Sequence, residues 1–136
     1  MELTLERFRT AQEEAYGRAL QEIRSGRKQS HWMWYIFPQI RGLGRSSVAQ
    51  YYEIQDRAEA IAYWKDPVLS AHLIEITREL LKLEGSAEEI MGFPDNLKLR
   101  SSMTLFWLVT GEPVFKAVLD KFYEGKPDAF TQRRLM

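Results

Sequence analysis

The chain predicts an all-α fold: a compact, multi-helical single domain over residues 1–136 with short connections. Three observations carry this. Apolar residues recur at helical spacing through most of the sequence. No segment alternates cleanly with period two, and β-branched runs are absent. Capping residues, Pro and Gly punctuate the chain at short intervals, as helix starts and stops require.

In order, Phe8, Gln12, Ala15, Ala19 and Ile23 form the first stripe, widened by Tyr16 and Leu20. Gly17 weakens this helix, and a break is expected near Glu13. Ser25-Gly26 stops it. Residues 31–37 make one or two helical turns that end or bend at Pro38. Gly42 and Gly44 mark a loop, after which Ser46 or Ser47 caps a short helix through Tyr52. Asp56 caps the next, with Ala58, Ile61 and Ala62 inside and Trp64 near its end. Asp66-Pro67 pairs a capping Asp with Pro at the first helical position. Leu69, Leu73, Ile76, Leu80 and Leu83 follow as the most regular stripe, running to Gly85. Ser86-x-x-Glu89 matches a capping box for a short helix to Met91. Pro94 and Asp95 open a helix to about Val109, and Thr110-Gly111-Glu112-Pro113 breaks and restarts the chain. Phe115, Val118, Leu119 and Phe122 make an inner face. Gly125-Lys126-Pro127 turns, and Asp128 caps a terminal helix.

Composition narrows the function classes. Nineteen acidic residues balance nineteen basic ones, whereas bulk nucleic-acid binding calls for a basic excess. With no cysteine, disulfides, thiolate metal sites and cysteine nucleophiles are excluded. No apolar run approaches the ~20 residues of a membrane span, and the N-terminal residues lack the long apolar stretch of a signal peptide. The expectation is a soluble, cytoplasmic protein without membrane association.

Two segments do not read as plain core. One is Ser30-His31-Trp32-Met33-Trp34-Tyr35-Ile36-Phe37-Pro38-Gln39, continuing into Gly42-Leu43-Gly44-Arg45-Ser46-Ser47. The other is Leu97-Lys98-Leu99-Arg100-Ser101-Ser102-Met103-Thr104-Leu105-Phe106. Both mix aromatic or aliphatic side chains with hydroxyls and fixed positive charge. Buried polar groups cost free energy unless paired, and a ligand pocket is where apolar walls and convergent polar groups belong together. Trp34 and Tyr35 are the stacking candidates, with Trp32 and Phe37 assigned to core. Arg45, Lys98 and Arg100 are the anion-binding candidates. His31, Gln39, Ser101 and Thr104 are the candidates for orienting polar ligand groups. His31 alternatively orients a loop, and the hydroxyls of the second segment alternatively permit close helix packing. The glycine loop is neither a Walker loop nor a dinucleotide fingerprint. His72, Glu75 and Glu79 read as a solvated helix face rather than a metal site, so no metal or cofactor is expected.

On these two segments, and on Gly26-Arg27-Lys28-Gln29 before the first, the chain resembles the bacterial family catalogued as domain of unknown function 1810, sometimes labelled calpastatin-like. Weaker matches are Phe8-x-x-Ala11-Gln12, Asp66-Pro67-Val68-Leu69 and Lys121-Phe122-Tyr123-Glu124-Gly125-Lys126-Pro127-Asp128. The resemblance implies a compact multi-helical domain and brings no established activity, cofactor or catalytic residue. Asn96 departs from the pattern, where the family often has Asp. A more distant likeness is to the NADAR group, helical proteins associated with removing ADP-ribose from modified targets. The leading expectation is a pocket for a phosphorylated, nucleotide-like small molecule, with N-glycosidic hydrolysis as the reaction class if it is an enzyme. The alternative is a non-catalytic module that offers the aromatic 32–37 segment to a protein partner.

Overall fold

The computed structural model describes residues 4–135. Among them the chain forms α1 (Glu6–Arg24), α2 (Met33–Ile36), α3 (Ser47–Tyr52), α4 (Arg57–Lys65), α5 (Pro67–Leu81), α6 (Ala87–Met91), α7 (Asp95–Thr110), α8 (Pro113–Tyr123) and α9 (Ala129–Leu135). The described residues contain no strand. One isolated parallel bridge joins Ile40 to Ile54, with Ile54 N–H donating to Gln39 O and Arg41 N–H to Ile54 O, both at 2.8 Å. Helix α7 packs against α4, α6, α8 and α9, while α5 packs against α1, α4 and α8. Apolar side chains from α1, α2 and α4–α8 bury one continuous core. No helix among the described residues is long and apolar enough to cross a membrane.

The caps form as their chemistry dictates. Ser46, rather than Ser47, caps α3 and accepts from Ala49 N–H at 3.1 Å. Asp56 accepts from Glu59 N–H at 2.9 Å. Asp66 Oδ1 takes two orphan amides of α5, those of Val68 and Leu69, each at 3.0 Å. Ser86 and Glu89 close a reciprocal capping box on α6. Asp128 Oδ2 accepts from Thr131 N–H at 2.9 Å at the start of α9.

Three expectations are corrected. Helix α1 is unbroken over 19 residues. Gly17 lies on its exposed face and Glu13 is also exposed, so the continuous buried stripe outweighs the propensity cost of a single Gly. Helix α5 ends at Leu81, four residues before Gly85, because Leu83 turns back with its N–H on Leu80 O at 3.1 Å. In α4 the buried residues are Ala60 and Tyr63, whereas Ala58, Ile61 and Ala62 are exposed. The Tyr63 ring enters the core between Phe8 and Phe106, at 5.2 Å from each. Burying that one aromatic ring removes more apolar surface from water than two alanine methyls and an edge isoleucine offer.

The α1–α5 seam holds a polar network. Gln12, 2 % exposed, donates from Nε2 to Tyr35 O at 2.7 Å and to Tyr63 Oη at 2.9 Å. Its Oε1 lies 2.8 Å from His72 Nδ1, which is therefore the protonated ring nitrogen. The His72 ring stacks on Tyr16 at 3.7 Å, and Tyr16 Oη donates to Glu75 at 2.6 Å. Burial, with Glu75 opposing, lowers the His72 pKa below its ordinary value. The face expected to be solvated is so at Glu75, which is exposed, whereas His72 and Glu79 are half-buried and His72 is tied to α1 through Gln12.

Candidate functional site

The first motif is shaped by a residue outside it. Glu22 on α1 accepts from the N–H groups of Gln29 at 2.8 Å and Ser30 at 3.0 Å, from the Trp32 indole at 2.9 Å, and from the Ser30 hydroxyl. Partial burial works against the carboxylate charge. The donors from Ser30, Gln29 and Trp32 outweigh it and hold the Glu22 pKa down at about 2. This clamp folds residues 29–32 onto α1 and directs Trp32, 1 % exposed, into the core. Met33, Ile36 and Phe37 are buried with it. Trp32 and Phe37 are core, as the sequence predicts, so the alternative of an aromatic anchor over 32–37 is left with Trp34 and Tyr35, both half-exposed.

Trp34 faces a cleft of about 480 Å³ where the two motifs meet. From the first motif the cleft takes Trp34, Gln39, Leu43, Gly44, Arg45 and Ser46. From the second region it takes Pro94, Leu97, Lys98, Arg100 and Ser101, and Asp128 closes it from the start of α9. Lys98 Nζ lies 5.5 Å from the Trp34 ring centre and 3.4 Å from Asp95 Oδ1. Asp95 is shared with Lys28, 2.8 Å away, so Lys98 has a partly committed counter-ion. The Arg45 side chain is exposed and makes no ion pair or hydrogen bond among the described residues. Gly44 is required by close approach: a Cβ there would lie 2.3 Å from Ala49 Cβ.

Arg100 is anchored as well as cleft-lining. Its Nε donates to Lys126 O at 2.8 Å and its Nη2 to Pro127 O at 3.2 Å, and the guanidinium stands 5.9 Å from the Tyr123 ring centre. It fastens α7 to the turn before α9. Arg100→Ala strands two carbonyls, and the expected loss is at least ~1 kcal/mol in a urea titration. A midpoint unchanged from wild type would show those bonds to be dispensable.

Six predicted residues share the cleft: Trp34, Gln39, Arg45, Lys98, Arg100 and Ser101. Three do not line it. His31 is exposed outside. Tyr35 lines a different groove, beside Tyr51 and Tyr52. Thr104 is buried, donating to Arg100 O at 2.8 Å and accepting from Asp128 N–H at 2.9 Å. Its hydroxyl is therefore a packing device, satisfying the chain that carries Asp128. Ser101 Oγ back-bonds to Leu97 O at 3.2 Å, and Ser102 Oγ is buried without a partner. Sequence reasoning missed Leu43 and Pro94 as cleft walls, Asp128 as a lining carboxylate and Glu22 as the organiser. Leu43 lay inside the first motif, and Pro94 and Asp128 carried signals only as helix starts; Glu22 carried none.

These features define an all-helical protein with one core and an amphipathic, cation-bearing cleft between two chain segments. The chain matches the family described as "Protein of unknown function (DUF1810)" over residues 2–135, and it belongs to that family. It is also similar to a solved structure, the crystal structure of the conserved hypothetical protein Rv1873 from Mycobacterium tuberculosis. The identity is 45 %, the match covers 98 % of this chain and 96 % of that one, and the TM-score is 0.95. No curated protein matches the chain. Neither result extends to the NADAR group.

Proposed function

We propose that the cleft binds a phosphorylated, nucleotide-like small molecule. The observation that supports this reading best is the convergence of Trp34, Arg45 and Lys98 on one cavity of about 480 Å³, a size typical of small-molecule sites. Trp34 offers a flat apolar face to a base. Arg45, whose fork is uncommitted among the described residues, and Lys98 take phosphate. Gln39 and Ser101 orient polar groups at the edges. The N-glycosidase form of the reading rests on the likeness to the NADAR group. Asp128 is the lining carboxylate available to it, with one oxygen, Oδ2, already committed to Thr131.

Thermal shift with nucleotides, dinucleotides, sugar phosphates and ADP-ribose at millimolar concentration tests this proposal. A ligand of the native state adds ~2.7 kcal/mol at a hundredfold excess over its Kd, which is several degrees for a domain of this size. The gain is expected to shrink with added salt and to vanish in a folded Trp34→Ala/Arg45→Ala variant. A flat response across the panel by folded protein would sink the reading. Release of a free base or ADP-ribose from a bound N-glycoside, lost in Asp128→Asn, would establish the reaction; binding without release confines the protein to a binding role.

A further inference from the structure

A second groove, of about 550 Å³, lies between α1 and the Tyr51–Tyr52 end of α3. Its floor is small: Ala11 and Ala15 occupy one face of α1 at successive turns. Its wall is a row of phenol rings. Tyr52 stands between Tyr35 and Tyr51, with centroids 5.0 and 4.9 Å away, and Tyr51 is 48 % exposed. The groove is rigidly built. Arg7 ties α1 to the backbone carbonyls of Tyr51 at 2.7 Å and Glu53 at 2.8 Å. Gln12 ties it to the Tyr35 carbonyl at 2.7 Å.

Some charges along the groove are already engaged: Arg7 with Glu59 and Glu6 with Arg9. Glu14 and Arg18 are not. Both are exposed, one helical turn apart at i and i+4, and neither makes an ion pair or side-chain hydrogen bond among the described residues. That spacing is the one at which opposite charges on a helix ordinarily meet. Both charges line the same groove as Tyr35; burial raises the Tyr35 phenol above its ordinary range, with Arg18 opposing and Glu14 reinforcing.

We infer that this groove binds a free α-amino acid with an aromatic or large apolar side chain. Arg18 takes its carboxylate and Glu14 its ammonium, and the side chain lies on the alanine floor against the tyrosines. The i,i+4 positions carry their Cβ atoms about 5–6 Å apart, a span that two opposite charges on neighbouring ligand atoms can bridge. A neutral ligand leaves this pair unused, and a ligand of one sign meets one repulsive partner. The site is separate from the Trp34 cleft and does not depend on what that cleft binds.

The test is an NMR titration of the full chain with L-phenylalanine, N-acetyl-L-phenylalanine, L-phenylalaninamide and maltose. L-phenylalanine is expected to shift the amides of Ala11, Ala15 and Tyr51 saturably. Removing either ligand charge is expected to weaken binding about tenfold or more. Glu14→Gln should weaken L-phenylalanine and should not weaken the acetylated form, whose carboxylate Glu14 repels. Arg18→Gln should weaken L-phenylalanine and should not weaken the amide, whose ammonium Arg18 repels. All three positions, Tyr51 included, are exposed; unchanged melting temperatures are expected of the two charge variants, while Tyr51→Ala gives up its edge contact with Tyr52, should remain folded, and should lose affinity for every phenylalanine derivative. The inference is overturned if L-phenylalanine shifts nothing up to its solubility limit. It is equally overturned if the blocked forms bind as well as the zwitterion, or if maltose alone perturbs these amides, which would make the groove a sugar site.

Discussion

Arg7→Met is expected to destabilise the protein by about 3–5 kcal/mol, the usual cost of leaving a buried charge pair with one partner. The Arg7 side chain is 2 % exposed and that of Glu59 is 13 % exposed. Its guanidinium donates to both Glu59 oxygens, at 3.1 and 2.9 Å, and to the carbonyls of Thr4, Tyr51 and Glu53 at 2.6, 2.7 and 2.8 Å. Methionine fills similar volume and satisfies none of these acceptors. Arg7→Lys should recover only a small part, because an ammonium cannot reproduce a planar fork directed at five oxygens. Arg7→Met/Glu59→Gln should be less damaging than the sum of its two single changes, since the stranded carboxylate is gone. Urea midpoints for the four variants measure all of this. A loss below ~1 kcal/mol for Arg7→Met would mean that water replaces the guanidinium freely and that the junction of α1 with residues 51–59 is not desolvated.

Glu22→Gln carries the second large effect, about 2 kcal/mol, because hydrogen bonds to a charged acceptor contribute more than neutral ones. The pH dependence is the sharper test. The Glu22 pKa is depressed on folding, from an ordinary 4.5 to about 2. Its stabilising contribution is therefore complete above pH 4.5 and is lost as pH falls towards 2. The stability gap between wild type and Glu22→Gln should be constant near neutrality and should close through that window. The Trp32 indole N–H, bonded to Glu22 at 2.9 Å, reports the same event: its NMR resonance should move in the wild type over this acid range and stay still in the variant. A gap independent of pH down to 2 would assign the clamp to shape rather than charge.

Much of the fold is local information. Asp66-Pro67, Ser86-x-x-Glu89 and Gly111-Glu112-Pro113 mark their helix ends through bonds and dihedral preferences spanning a few residues, so the chain reveals them directly. The meeting of the two motifs was also legible, because each contains polar groups that no isolated helix can satisfy. The burial of Arg7 was not legible, since its partners Tyr51, Glu53 and Glu59 are remote in sequence and mostly backbone oxygens. Nor was the rotation of α4, where Tyr63 outweighs its apolar neighbours only because Phe8 and Phe106 wait for it.

By itself, the sequence determined that this protein is all-helical, where most helices begin and end, and that Trp34, Arg45 and Lys98 belong to one region. Tertiary structure alone decided which side chains open onto which cavity. Trp34 and Tyr35 are neighbours in α2, yet one lines the cation-bearing cleft and the other the tyrosine groove. Successive helical residues point about 100° apart, and Glu22 and Gln12, which hold the two ends of that short segment, set where those directions lead.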